Sequence, residues 1–206
     1  MASTTKAPGT IAAAAWTAPD NAKADDETFA SWGYTLTNGQ VSSPSFIAKN
    51  FGFNIPDGAT IDGIAATVHF KSSHHEAQKY FWDGEPAIHD GTNYHYGSSA
   101  EAWGRGVDVH WETTEGSVTF GSATQKWSYT PTPALVNSAD FGFAFGFGMT
   151  NLTETPTLMT GYIEYVELTV YYTALGYQHK ALGCLPTAIA KIMGIPTANI
   201  SKFNGV

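Results

Sequence analysis

Chemistry-bearing side chains gather between Ser72 and Trp103, where four of the seven histidines lie among Tyr80, Phe81, Trp82, Tyr94, Tyr96 and Trp103. His74, His75 and Glu76 are metal-ligand types, but adjacent histidines on an extended chain point to opposite faces. No spaced partner set of the H-E-x-x-H kind follows them, so no metal centre is expected there. The aromatics suggest a second chemistry, a platform on which sugar rings stack, with Trp82, Tyr94, Tyr96 and Trp103 as the candidate glycan contacts. Large aromatics bury about 150–250 Å² each, so packing loops onto the end of a β-structure is the competing use. Asp83 and Glu85 sit beside Trp82 and invite a glycosidase reading. Two residues apart on a strand they stand about 7 Å from each other, between the retaining and inverting separations, and no second motif supports a catalytic role.

Other polar groups are weaker signals. Asp20, Asn21, Asp25 and Asp26 offer the oxygen ligands of a calcium loop, yet their spacing is not that of an EF-hand and no glycine sits at its turn. A solvated loop is expected. His69 falls on the polar side of a predicted strand and reads as an exposed strand histidine. Asn151-Leu152-Thr153 is a glycosylation-type sequon that says nothing without a secretory route. No nucleophile motif, metal box or phosphate loop is recognisable, so neither an enzyme nor a bound cofactor is expected.

The chain of 206 residues carries a net charge of −8 with 14% charged residues, and no basic patch is available to neutralise phosphates. That excludes nucleic acid as an expected partner. No apolar run reaches the 18 residues of a membrane span, so no membrane partner is expected either. The single cysteine, Cys184, forbids an intrachain disulfide. Gly, Thr, Ser and aromatic enrichment favours an all-β chain with many turns.

The elements that must hold these residues follow from period-2 alternation. Gly161 to Tyr172 is the longest such run: Val166, Leu168 and Val170 share one face, Glu164 is the one polar residue among them, and Tyr165, Glu167, Thr169 and Tyr171 lie opposite. We expect it to be the central strand. A strand around Phe46 to Phe53, the turn Ile55-Pro56-Asp57-Gly58, and the alternation of Ile64, Ala66, Val68 and Phe70 predict an antiparallel hairpin. Further strands are expected over Val107, Val109 and Trp111 and around Val118 to Phe120, with Trp127 to Thr130 a loop or edge strand and Thr130-Pro131-Thr132-Pro133 interrupting any ladder. From Asp140 to Met149 the phenylalanines at 141, 143, 145 and 147 should layer one face, leaving Gly142, Ala144, Gly146 and Gly148 as a smooth outer face for a covering loop or a subunit contact. The predicted fold is all-β, a two-sheet antiparallel, jelly-roll-like sandwich over 14–175, preceded by a flexible arm (1–13) and followed by a short segment (176–206).

That segment contains one unit twice, P-T-A-(N)-I-x-K-x-x-G-[IV], beginning at Pro186 and at Pro196, with Asn199 inserted in the second copy. So short a unit cannot enclose a core. Helical turn and small strand remain open for it. Ile189, Ile192, Ile195, Ile200, Phe203 and Val206 are then expected to dock on the sandwich or on a partner, and we take them as the candidate partner interface.

Trp16 with Pro19-Asp20-Asn21-Ala22, the run from Asn50 through Phe51-Gly52-Phe53-Asn54-Ile55-Pro56-Asp57-Gly58 to Ile64, and Tyr162 to Tyr172 together resemble a β-sandwich domain of structural proteins of tailed bacteriophages. The doubled tail unit is similar to short segments near module joins in phage virion proteins. The resemblance implies a non-catalytic virion component, as a capsid decoration, head fibre or tail or baseplate part. Its partners would be other virion proteins and copies of itself, its location the virion, and no active-site residue is carried over. With no receptor-binding module after Val206, a primary adhesin is not expected.

Overall fold

The computed structural model describes residues 1–97 and 110–175, together with the backbone of 191–192 and 195–196. Along the described chain run β1 (Ala2–Lys6), β2 (Thr10–Ala12), a 3-10 turn (Pro19–Ala22), β3 (Ala30–Leu36), β4 (Gly39–Ser42), β5 (Phe46–Lys49), β6 (Thr60–Ser72), β7 (Lys79–Asp83), β8 (Ala87–His89) and β9 (Tyr94–Tyr96). They are followed by β10 (Gly116–Ser122), a helical turn α1 (Pro133–Val136), β11 (Gly142–Phe145), β12 (Phe147–Asn151), β13 (Thr157–Thr173), and the two-residue strands β14 (Lys191–Ile192) and β15 (Ile195–Pro196).

The alternating run at 161–172 is the middle of the first sheet, extended to 157–173 as β13. β6 pairs antiparallel along one edge of it, with β10 beyond β6. On its other edge β3 pairs with Thr157–Ile163 and β1 with Leu168–Tyr172, end to end. Val166, Leu168 and Val170 are fully buried, as are Ile64, Ala66 and Val68 on β6. The pairing steps from Ile163↔Phe70 to Tyr165↔His69, leaving Glu164 as one extra residue on β13. Such a bulge exchanges the faces of everything beyond it. Met159 and Ile163 therefore face the core before it, and even-numbered residues face the core after it.

The second layer is built from strand pairs that continue one another. β2-β5-β11-β8-β9 form one stretch and β4-β12-β7 the next. β4 leads into β5, β7 into β8 and β11 into β12, so the same three chains run through both stretches. The break falls at Ser43, Gly84 and Gly146, where Gly84 N–H donates to Gly146 O (2.9 Å), Ser43 N–H to Phe147 O (2.8 Å), and Phe147 N–H to Ser43 Oγ (3.0 Å). The layer thus divides there, with two backbone hydrogen bonds and the Ser43 hydroxyl still linking the strands across the break.

Between the layers lies the phenylalanine face expected from 141–147, with Phe141, Phe143, Phe145 and Phe147 all buried. Trp111 stacks on Phe70 at 4.2 Å and meets Phe147 at 4.8 Å, and Phe120 meets Phe145 at 5.2 Å. The tip of the Phe147 ring also abuts Gly161, where a Cβ would stand 2.3 Å from Cζ of the ring. The opposite, small-residue face is covered as well. Gly142, Ala144 and Gly148 are buried, and the Trp82 indole occupies the space over Gly148, 2.0 Å from where a Cβ would be.

Two expectations need correction. Residues 1–13 are not a free arm, because Ala2–Lys6 and Thr10–Ala12 hydrogen-bond to β13 and β5 and bury Ile11 and Ala13. The predicted hairpin does not form. β5 stops at Lys49, Asn50 and Gly52 adopt positive φ (56° and 63°), and the chain crosses from the second layer to the first before β6 begins. The buried Phe51, Phe53 and Ile55 fill that crossing, and Asn137 fastens it by donating to Ile55 O (2.9 Å) and accepting from Ile55 N–H (2.8 Å). Of the two readings open for 127–130, the loop is the one that forms, a turn with Trp127 fully buried and its Nε1–H donating to Ile64 O at 2.9 Å. Of the strand expected over 107–112, residues 107–109 lie outside the described residues. Trp111 is buried and its N–H donates to Phe81 O (3.1 Å).

Candidate functional site

Among the described residues β9 is the edge strand of the second layer, paired to β8 with Ala87↔Tyr96, Ile88↔His95 and His89↔Tyr94. Residues two apart on a strand share a face. Tyr94 and Tyr96 accordingly lie side by side, their rings 6.5 Å apart and 28° from parallel, 41% and 45% exposed. His95 points the other way. Its ring lies flat on Tyr129 at 3.9 Å, and its Nε2 is 2.7 Å from Asp90 Oδ2. Asp90 Oδ1 accepts from the N–H groups of Thr92 (2.8 Å) and Asn93 (2.7 Å), which closes the β8–β9 turn. The His95 hydrogen bond, and after it the Asn93 and Thr92 amides, hold the Asp90 carboxyl far below the usual carboxylate range. Burial, and then the negative charge of Asp90, push the Tyr129 phenol above its ordinary value. The tyrosine pair thus stands on a hairpin fixed from behind by an ion-pair-type contact and a ring stack. Two half-exposed aromatic faces on a rigid edge can stack against an apolar sugar face.

Trp82, another candidate glycan contact, does not join that pair. Trp82 sits on β7 in register with Gly148 and serves as cover for that glycine. Trp103 lies outside the described residues. So do Ile189, Ile200, Phe203 and Val206 of the candidate interface, and of Ile192 and Ile195 only the backbone is described, as facing residues in the β14–β15 pair.

The metal and catalytic candidates disperse. His74 Nδ1 contacts Ser73 Oγ at 2.7 Å, while His75 Nδ1 is 3.0 Å from Glu112 Oε2 and 3.1 Å from Trp111 O. Asp83 accepts from Trp111 Nε1–H at 2.7 Å, and Glu85 is exposed. Asp20 pairs with Lys23 (2.8 Å), and Asp26 Oδ1 accepts from the Thr28 N–H at 3.1 Å. Asn151 of the sequon is fully buried: its amide donates to Leu36 O and Thr155 O, and its oxygen accepts from the Thr153 N–H and hydroxyl. A glycan has no access to it in the folded chain.

One cluster went unrecognised in the sequence. On the outer face of the first sheet, ligand-type atoms of His69, Glu115 and Glu164 lie within 4.8 Å of one another, with His69 Nδ1 3.7 Å from Glu115 Oε1. The β13 bulge brings Glu164 beside His69, and the start of β10 brings Glu115 to the same place. Glu164 is 1% exposed and accepts from Glu27 N–H at 2.6 Å through Oε1, whereas its Oε2 has no hydrogen-bond donor among the described residues. Burial, and then the adjacent Glu115 carboxylate, raise its pKa, opposed by the Glu27 amide and by His69. The signal in the sequence was Glu164 itself, a carboxylate on an otherwise apolar parity. Its neighbours were illegible because they depend on a bulge that no residue pattern announces.

No family model matches the chain, and no curated protein matches it. Among solved structures, similarity is found to a crystallised domains CD fragment (TM-score 0.36, 12% identity, 77% of this chain), of which the chain covers 59%. It is also found to the family 11 carbohydrate-binding module from Clostridium thermocellum in complex with a β-1,3-1,4-mixed-linked tetrasaccharide (TM-score 0.30, 11% identity, 81% of this chain and 86% of that one). A third is the infectious bursal disease virus Gx strain structure (TM-score 0.29, 12% identity, 71% of this chain and 35% of that one). Scores this low carry no argument, and the all-β sandwich rests on the chain's own strand pairing.

Proposed function

We propose that the chain is a non-enzymatic structural component of a tailed-bacteriophage virion that works through contacts with other virion proteins and with copies of itself. The observation that supports this reading is where the phage-like segments lie. Trp16 packs on Phe46 and Phe147 at 5.0 and 5.4 Å, residues 50–59 make the crossing between the layers and 60–64 open β6, and 162–172 is the heart of β13. The residues that carry the resemblance are those that define this sandwich. In this reading the duplicated unit after the sandwich is the attachment. Proteomics and imaging of purified particles test it: the chain is expected at a fixed copy number on the particle, and its absence from washed particles contradicts the proposal.

A second reading, a carbohydrate-binding module, is favoured by one observation, the exposed Tyr94–Tyr96 pair backed by Asp90, His95 and Tyr129. Affinity electrophoresis against soluble glycans separates the two. Retention that Tyr94→Ala and Tyr96→Ala abolish supports the module, and unretarded migration of the wild-type chain removes it.

A further inference from the structure

We infer that His69, Glu115 and Glu164 form a binding site for a divalent transition-metal ion, with Zn2+ the species their chemistry fits. One imidazole and two carboxylates are Zn2+ ligand types, whereas Mg2+ and Ca2+ take oxygen donors. An ion about 2.1 Å from each of two ligand atoms in a tetrahedral site holds them about 3.4 Å apart. His69 Nδ1 and Glu115 Oε1 already stand at 3.7 Å, and all three ligand atoms lie within 4.8 Å. Glu115 is exposed, which leaves its side chain free to adjust to an ion.

The feature that separates this cluster from an ordinary group of surface charges is Glu164. Its carboxylate is 1% exposed and supplies a ligand atom to the cluster, one oxygen accepts from the Glu27 N–H at 2.6 Å, and the other is buried with no donor among the described residues. A buried carboxylate oxygen left unpaired is costly, and a cation between it, Glu115 and His69 removes that cost. Glu27, held at φ 64°, is the outer contact that orients this ligand. The three side chains come from β13, from β6 and from the residue before β10, so the register of the sheet fixes their spacing. Three protein ligands leave a fourth position for water on the side where His69 and Glu115 are partly exposed. A bound ion would tie the 23–29 loop, through Glu27 and Glu164, to the central three strands. This site is independent of either functional reading above.

The test is titration of the chelator-treated full chain with ZnCl2 by calorimetry and with CoCl2 by visible absorption. One ion per chain is expected, with the intense d–d bands of low-coordinate Co2+ and a rise in Tm as Zn2+ is added. His69→Ala and Glu115→Gln change partly exposed side chains and should leave the fold intact by circular dichroism. Each is expected to weaken binding at least tenfold and to abolish the bands, as is Glu164→Gln. His75→Ala, which removes the separate His75–Glu112 contact, should change nothing. The inference is overturned if the wild type takes up no stoichiometric ion, if His69→Ala and Glu115→Gln bind as the wild type does, or if binding is lost in His75→Ala.

Discussion

Asn137 is a single side chain that performs the pairing a strand would have supplied. Both its amide atoms bond the backbone of Ile55, in the crossing between layers where the chain has left β5 and not yet begun β6. Asn137→Ala leaves a mostly buried N–H and C=O without partners, at a cost of about 1–3 kcal/mol. A lower urea midpoint at unchanged m-value is the expected reading. Asp90 gives a pH-dependent counterpart. Its folded pKa is depressed by His95 Nε2 and by the amides of Asn93 and Thr92, with Tyr129 a further titratable neighbour. The stability it contributes is therefore present above the ordinary carboxylate pKa of 3.8 and is lost as the pH falls below it. Asp90→Asn is expected to cost about 1.5–3 kcal/mol at pH 7, and the gap from the wild type should narrow at pH 3. A gap that stays constant between the two would contradict the assignment. Neither residue stood out in the sequence. Asp90 and His95 are five apart and meet only because β8 and β9 close a hairpin, and Asn137 meets Ile55 across 82 positions.

At the scale of elements, β13, β6, β10 and the Phe141–Phe147 layer were legible because alternation is written into the chain wherever one face is buried and the other is not. What failed was pairing. Phe46–Lys49 and Ile64–Phe70 read as partners because a strong turn lies between them, but turn chemistry does not distinguish a hairpin from an arch that changes sheets. The positive φ at Asn50 and Gly52 and the buried Phe51 and Phe53 decide for the arch. β1 and β2 were missed for a different reason. Short, Thr- and Ala-rich edge segments carry little apolar signal, and their pairing depends on a free edge of β13 and of β5. The centrality of β13 has a direct consequence. Leu168 is fully buried between the flanking strands β6 and β1, so Leu168→Ala should cost about 2–5 kcal/mol in chemical denaturation. A loss under 1 kcal/mol would mean that the strand does not lie where the core is.

For the molecule as a whole, the two-layer sandwich was legible from composition and strand pattern, whereas the bend that divides the second layer at Ser43, Gly84 and Gly146 was not. Its glycines are ordinary turn signals in sequence, and only the paired chains show that they align. The candidate site was legible in part. Tyr94 and Tyr96 were singled out as aromatics and prove to be neighbours, while Trp82 was singled out for the same reason and covers Gly148 instead. The cluster around Glu164 needed the bulge.

The central claim is that the sandwich serves a particle to which residues 176–206 attach it. The most direct measurement is quantitative mass spectrometry of purified particles assembled with either the full chain or a chain lacking 176–206, alongside circular dichroism of both. The account predicts the full chain at fixed stoichiometry, and a truncated chain that retains its β-structure in solution but is lost from the particles. Incorporation of the truncated chain at the full-length level, or the absence of both chains from particles, would contradict it.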